Sequence, residues 1–294
     1  MSSTVCVAFA AEAPDYTLLD GESYPELRNS VSPNVWTLVS GSDEDFFVGD
    51  GVLQTADEDP FFPEDATDRF SPNFKSGGYD HTHQYIVACA LTVLANDLGD
   101  SILNTDTNSN LLLEGADYPD SKETSGIFAW HFYKPDTEKS FNGGKTTAKT
   151  KAVDYFNKAI TEYNNGNIST AMSYIGRGTH YFEDVNEPHH ASNLTAVGSN
   201  HGAYESYVDA NRFDYYIEGY TIDKSYYKQA EDMTIDNLIR SYAYQSNTLK
   251  DAVRSTKGGK DYVASAHACV ENAIMNICQY YYKFGLEVGI YKKV

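Results

Sequence analysis

Basic residues are scarce in this chain of 294 residues. It holds 22 lysines and arginines against 42 aspartates and glutamates, which gives a formal net charge of −20. Proteins that bind nucleic acid neutralise phosphates with lysine and arginine. The charge therefore disfavours that class, and we expect no nucleic-acid partner. A small or zwitterionic substrate agrees better with this composition.

Long apolar runs are also missing, since no stretch of the sequence is long and apolar enough to span a membrane. The segment Val5–Ala13 is short, apolar and ends in small residues, as secretory signals do, although a basic start is missing. We interpret residues 1–13 as a possible signal-peptide remnant. This interpretation predicts a secreted, extracellular protein.

Cysteine is rare, with four residues in the chain, and Cys6 lies in the signal-like segment. Cys269 and Cys278 fall in one predicted helix, about 13 Å apart along its axis. This separation is too large for a disulfide between them. The spacing leaves open whether Cys89 pairs with one of the two.

The acidic excess is concentrated near the N-terminus. Residues 1–70 carry fifteen acidic and two basic residues, with scattered proline and glycine and no hydrophobic period. We interpret residues 14–75 as an acidic N-terminal extension or pro-segment, the alternative being a loosely packed arm of the domain that follows.

Strand signals are weak throughout, whereas apolar residues recur at helical spacing in several segments. These patterns predict an all-α fold, a multi-helix bundle with long loops around a metal cluster. Residues 104–147 are rich in Asn, Asp, Gly, Ser and Thr and are predicted to be mostly loop. The predicted helices are His83–Leu98, Lys149–Tyr163, Ser169–Phe182 (with Ser169 as its cap), His201–Ala210, Lys224–Leu249 and Tyr262–Leu286.

Metal-capable side chains are dense between residues 180 and 205. His180 and Asp184 are four residues apart, as are His201 and Glu205, and His190 lies between the pairs. Residues at i and i+4 share one face of a helix, so each pair can hold one ion. Mixed nitrogen and oxygen ligands without cysteine suit zinc. The spacing indicates a polynuclear zinc site of a metallohydrolase.

Further ligand candidates lie upstream. His83 opens an apolar helical run, and Asp120 and His131 lie in the segment predicted to be loop. The candidate ligands lie in a series of short motifs along the chain. These are Thr82-His83, Tyr118-Pro-Asp120, Phe128-Ala-Trp-His131, His180-Tyr-Phe-Glu-Asp-Val-Asn-Glu-Pro-His-His190-Ala-Ser-Asn193 and His201-x-x-x-Glu205.

This ordered series resembles the bacterial zinc-dependent phospholipases C, including the alpha-toxin-type enzymes, over roughly residues 80–288. The resemblance implies that residues 76–294 form the catalytic domain. It also implies three zinc ions, assigned as follows. The first site would use Asp120, His131, His180 and Asp184, the second His190, His201 and Glu205, and the third His83 with a bridging Asp184.

The third site departs from the family pattern. In the family, an N-terminal tryptophan about ten residues before the His83 position completes that site, whereas this chain has Asn73-Phe74 there and continues upstream. Either the chain is cleaved near residues 70–75, or the third site is altered. The resemblance also implies that Phe128 lines the head-group pocket.

The implied activity is hydrolysis of the glycerol-side phosphodiester bond of phospholipids such as phosphatidylcholine by zinc-activated water. Asp120 would be either a pure ligand or also the general base that aligns the water. Phospholipid is the expected partner, with peripheral membrane contact and no obligate protein partner. The alternatives are a zinc-dependent single-strand nuclease or nucleotidase and a non-catalytic zinc-binding relative.

Overall fold

The computed structural model describes residues 82–294 except 124–127, 196–198 and 255–259. The predictions for residues 1–13 and 14–75 lie outside this part. Within it the chain forms nine α-helices and several short 3₁₀ turns, and its one β-bridge joins Lys134 to Lys139. The helices are α1 (Thr82–Leu98), α2 (Asp106–Lys122), α3 (Ala148–Asn164), α4 (Ile168–Asp184), α5 (His201–Ala210), α6 (Lys224–Asp232), α7 (Ile235–Asn247), α8 (Lys250–Val253) and α9 (Lys260–Glu287).

The all-α prediction is confirmed, and the core explains why. Helix α1 is buried on all sides from Thr82 to Leu94, as its nearly continuous apolar sequence requires. It packs against α2 and against the long α9, whose consecutive Tyr280, Tyr281 and Tyr282 are all fully buried. Across the described ranges, no helix combines the length and the apolar character that a bilayer crossing requires.

The prediction of a loop over residues 104–147 is wrong for α2. Its Asn, Asp, Ser and Gly residues are weak helix formers, but Leu112, Leu113 and Ala116 are buried. This apolar stripe packs along α4, and that tertiary burial outweighs the local preference. Asp120, predicted to lie in a loop, consequently lies in the last turn of a helix.

Two glycines allow α2 and α4 to pack closely. A Cβ atom on Gly176 of α4 would lie 2.6 Å from the carbonyl oxygen of Leu112, and one on Gly115 of α2 would lie 2.8 Å from the Cα of Gly176. Both distances are shorter than van der Waals contact. Only glycine at these positions lets the two backbones approach so closely.

Two details of the other helices also differ from the prediction. The segment predicted as one helix over Lys224–Leu249 is divided into α6 and α7, because Thr234 caps α7 by accepting a hydrogen bond from the Asn237 amide (3.3 Å). Helix α4 begins after Asn167, so Ser169 lies inside the helix and is not its cap.

The described cysteines are buried free thiols, so the open possibility that Cys89 pairs with Cys269 or Cys278 is not realised. Cys6 lies outside the described residues. Cys269 instead donates to the backbone carbonyl of Asn186 (3.0 Å) in the turn that follows α4.

Candidate metal centre

The eight predicted ligands come from separate elements that converge in the interior. None of their side chains is more than 10 % exposed. They are His83 on α1, Asp120 on α2, His131 on the 3₁₀ turn Phe128–His131, His180 and Asp184 on α4, His190 on the 3₁₀ turn His190–Ser192, and His201 and Glu205 on α5.

The first group of ligand atoms belongs to His131, His180 and Asp184. Nδ1 of His131 lies 2.9 Å from Oδ2 of Asp184, and Nε2 of His180 lies 3.5 Å from the same oxygen. Oδ1 of Asp120 lies 3.4 Å from His180 Nε2 and 3.5 Å from His131 Nδ1. The four side chains predicted for the first zinc therefore lie together.

A backbone contact orients His180 in this group. Its Nδ1 donates to the carbonyl of Ala116 on α2 (2.7 Å), and this fixes the tautomer in which Nε2 is free to act as a ligand. The close packing of α2 on α4 places that carbonyl within reach. Sequence spacing puts Asp184 on the same face of α4 as His180. The crossing of α2 and α4 brings Asp120 to the same place.

The second group contains His190, His201 and Glu205, as predicted, together with Glu187. Oε1 of Glu205 lies 2.7 Å from His201 Nε2 and 3.7 Å from His190 Nε2. Asp184 connects the two groups, because its Oδ1 lies 2.9 Å from His190 Nδ1 while its Oδ2 faces His131.

His83 lies beside the first group, with its ring stacked on that of His180 at 4.1 Å. Its ligand-capable nitrogen groups with Asp120 and His180. Nδ1 of His83 makes a buried hydrogen bond with the Glu183 carboxylate. The shared third site of His83 and Asp184 stays a prediction.

The charges of these groups respond to one another. Burial disfavours ionisation of Asp184, but the neighbouring His180, His131 and His190 hold its pKa well below the usual value. Burial likewise opposes protonation of His180, yet Asp120 and Asp184 raise its pKa to about 9. For His201, burial dominates and lowers the pKa well below the usual value.

Zinc fits these residues. Nε2 of His201 is buried and makes no hydrogen bond of ordinary geometry within the described residues, although Glu205 Oε1 is 2.7 Å away. Buried carboxylates are stabilised by opposite charge, which a bound cation would supply, and mixed nitrogen and oxygen donors are typical zinc ligands.

Helices α7 and α9 hold the turn that follows α4. Ser246 donates to the carbonyl of Asn186 (2.5 Å), and Asn247 donates to that of Ala191 (3.0 Å). Both donors lie at the end of α7. Because α7 and α9 fix this turn, Asp184 and His190 are held at either end of a rigid connection.

Three buried residues of this region were not selected by the spacing argument: Glu183, Glu187 and His189. All are fully buried, which is unusual for ionisable side chains unless they are paired or bind metal. The signal in the sequence is the presence of two extra glutamates and a second histidine inside the motif that holds His180 and His190. Phe128 begins its 3₁₀ turn, and its side chain lies outside what the structure describes.

Comparison with known proteins gives consistent matches. A family model described as zinc dependent phospholipase C matches residues 82–281. A phospholipase C of Clostridium novyi is 30 % identical over 237 residues, which are 71 % of this chain and 59 % of that protein. A phospholipase C of Listeria monocytogenes is 31 % identical over 145 residues, 46 % of this chain and 50 % of that protein.

Among solved structures, the alpha toxin from Clostridium absonum superposes with a TM-score of 0.64 at 26 % identity. The match covers 72 % of this chain and 65 % of that one. The chain therefore spans between half and just under two thirds of the length of these relatives.

Proposed function

We propose a phospholipase C activity for this chain, because it belongs to the zinc-dependent phospholipase C family. The proposed reaction is hydrolysis of the glycerol-side phosphodiester bond of phospholipids such as phosphatidylcholine. The products are diacylglycerol and a phosphorylated head group. The observation that carries the proposal is the convergence of two buried His and carboxylate groups on Asp184, which contacts both.

Three zinc ions are proposed, as the family resemblance implies. His131, His180, Asp184 and Asp120 would hold the first, His190, His201 and Glu205 the second, and His83 would take part in the third. Bound zinc supplies Lewis-acid polarisation of a phosphoryl oxygen and lowers the pKa of water. The number of ions is part of the proposal.

Asp120 is the proposed general base. Burial opposes its ionisation, but His180, His131 and His83 lower its pKa, so the carboxylate is charged and able to accept a proton. Its side chain is 9 % exposed, the most accessible carboxylate of the first group. Its position at the last turn of α2 lets it align the attacking water while it faces His180 and His131.

Phe128 is proposed to line the head-group pocket, because it begins the 3₁₀ turn that carries His131. Secretion from a bacterial cell and peripheral contact with a phospholipid surface complete the proposal. The relatives named phospholipase C come from bacterial species, which supports this setting.

The test is hydrolysis of a phosphatidylcholine analogue by the purified full chain with zinc. Single-stranded DNA is offered in parallel, since a single-strand nuclease would use a similar cluster. Release of the phosphorylated head group that is abolished by Asp120→Asn supports the proposal. Cleavage of DNA in preference to lipid would favour the nuclease, and turnover of neither substrate by a zinc-loaded chain would favour a non-catalytic relative.

A further inference from the structure

We propose that Glu187 is a fourth protein ligand of the second metal group, so that two imidazoles and two carboxylates surround its ion. This inference rests on the proposed function only for the identity of the ion as zinc. The ligand atoms of Glu187, His190, His201 and Glu205 all lie within 4.8 Å of one another, and all four residues are buried.

The position of Glu187 follows from the turn after α4. Its backbone amide donates to the carbonyl of Asp184 (3.0 Å), and its own carbonyl accepts from the amide of Ala191 (2.9 Å). These backbone hydrogen bonds form helical turns that follow the end of α4. They bring Glu187 to the side of the second group, between Asp184 and His190 in the chain.

Both carboxylate oxygens of Glu187 make contacts at the second metal group. Oε2 accepts from the backbone amide of His190 (2.6 Å) and lies 3.8 Å from His201 Nε2. Oε1 accepts from Nδ1 of His189 (2.7 Å). His189 in turn stacks on His201, with ring centroids 4.9 Å apart. One oxygen is thus held by His189, and the other, which is held by the His190 amide, lies near the nitrogen predicted to bind metal.

A purely structural role for Glu187 would be to join the turn to His189. That role uses Oε1, while Oε2, which accepts from the His190 amide, also lies 3.8 Å from the ligand nitrogen of His201. A fully buried carboxylate needs compensation by opposite charge. A divalent cation placed among Glu187, Glu205, His190 and His201 would supply that opposite charge.

The chemical consequence is a closed second site. Catalytic zinc sites typically keep three protein ligands and one open position, whereas sites with four protein ligands are structural. With Glu187 added, the second group has the four ligands of a tetrahedral structural site. The second ion would then be retained more strongly than an ion with three protein ligands.

Zinc affinity tests this inference on the full chain. The apparent dissociation constants of the bound zinc ions are measured by competition with a chromophoric chelator. The variants are Glu187→Gln, which keeps the shape but removes the charge, and Glu231→Gln, a matched control whose carboxylate contacts Tyr282 and the Val294 amide. Changes that only support a ligand cost roughly 10–100-fold in metal affinity, so loss of a direct ligand should cost at least about 100-fold for one ion. The control should match the wild type.

Retention of every zinc ion by Glu187→Gln with wild-type affinity would overturn the inference. A second measurement needs no variant and guards against misfolding of Glu187→Gln. A crystal structure of the zinc-loaded wild-type chain should place a Glu187 oxygen about 2.0–2.2 Å from the ion held by His190 and His201. A distance of about 2.7 Å or more, as long as a hydrogen bond or longer, would refute direct ligation.

Lipid hydrolysis is measured separately on the same samples. A wild type that fails to hydrolyse phosphatidylcholine, while Glu187→Gln still loses one zinc ion, would refute the proposed function and leave the ligand assignment intact. Active wild type with unchanged zinc affinity in Glu187→Gln would do the reverse.

Discussion

The crossing of α2 and α4 gives the sharpest prediction, through the substitution Gly176→Ala. A Cβ atom at residue 176 would lie 2.6 Å from the Leu112 carbonyl oxygen and 2.9 Å from the Cα of Gly115. Ordinary van der Waals contact is about 3.5 Å or more, so the helices would have to separate locally by close to 1 Å. Backbone atoms on both sides leave no flexible side chain to yield.

The magnitude follows from two opposing effects. Overpacking of a close interface costs about 1–3 kcal/mol, and backbone neighbours favour the upper end. Alanine improves helix propensity over glycine by about 1 kcal/mol. We expect Gly176→Ala to lower the free energy of unfolding by about 2 kcal/mol. The same displacement would move His180 relative to Asp120, and a shift of about 1 Å in a catalytic site can cost about 100-fold in rate.

The control is Gly202→Ala on α5, where the added Cβ meets no atom within 4 Å. This substitution should leave the free energy of unfolding unchanged or raise it by up to about 1 kcal/mol. Urea denaturation of both variants, in the presence of the same zinc concentration, checks the pair. Equal stability of Gly176→Ala and Gly202→Ala would refute the argument that the glycine crossing positions the first group.

Three further predictions concern the metal centre and one helix end. Chelation of zinc should lower the Tm, because the buried carboxylates lose their compensating cation; an unchanged Tm in differential scanning calorimetry would contradict this. Glu183→Leu removes the acceptor for His83 Nδ1 and should weaken zinc binding by about 10–100-fold, whereas Glu183→Gln keeps an acceptor and should have a smaller effect. The chelator competition assay measures both, and equal effects would argue against the orienting role. Thr234→Ala should lower the free energy of unfolding by about 1 kcal/mol, because α7 loses its cap. Urea denaturation measures this loss, and Thr221→Ala, at an exposed threonine, is the control.

The sequence predicts well those features that depend on local pattern. The all-apolar run of α1 and the amphipathic α3 are recognisable because burial of a face imposes a helical period on the residues themselves. Two ligand pairs are likewise local, since residues four apart on α4 and α5 must share a face.

Other features were predicted wrongly or not at all, because they arise from contacts between distant segments. Helix α2 is rich in weak helix formers, and its packing on α4 stabilises it. The local pattern of Lys224–Leu249 continues through Met233, while the cap at Thr234 divides it. The turn that carries Glu187 is held at the Asn186 carbonyl by Ser246 of α7 and Cys269 of α9, which lie far along the chain.

The residue types and their spacing thus determined by themselves that this chain is helical and carries candidate metal ligands in pairs. Only the tertiary structure decided which pairs meet. Asp120 reaches His180 because two glycines let α2 and α4 approach. Asp184 contacts both groups because the turn after α4 returns His190 to it. Spacing within one helix is fixed by its geometry, whereas the distance between helices is set by side-chain packing across the whole core.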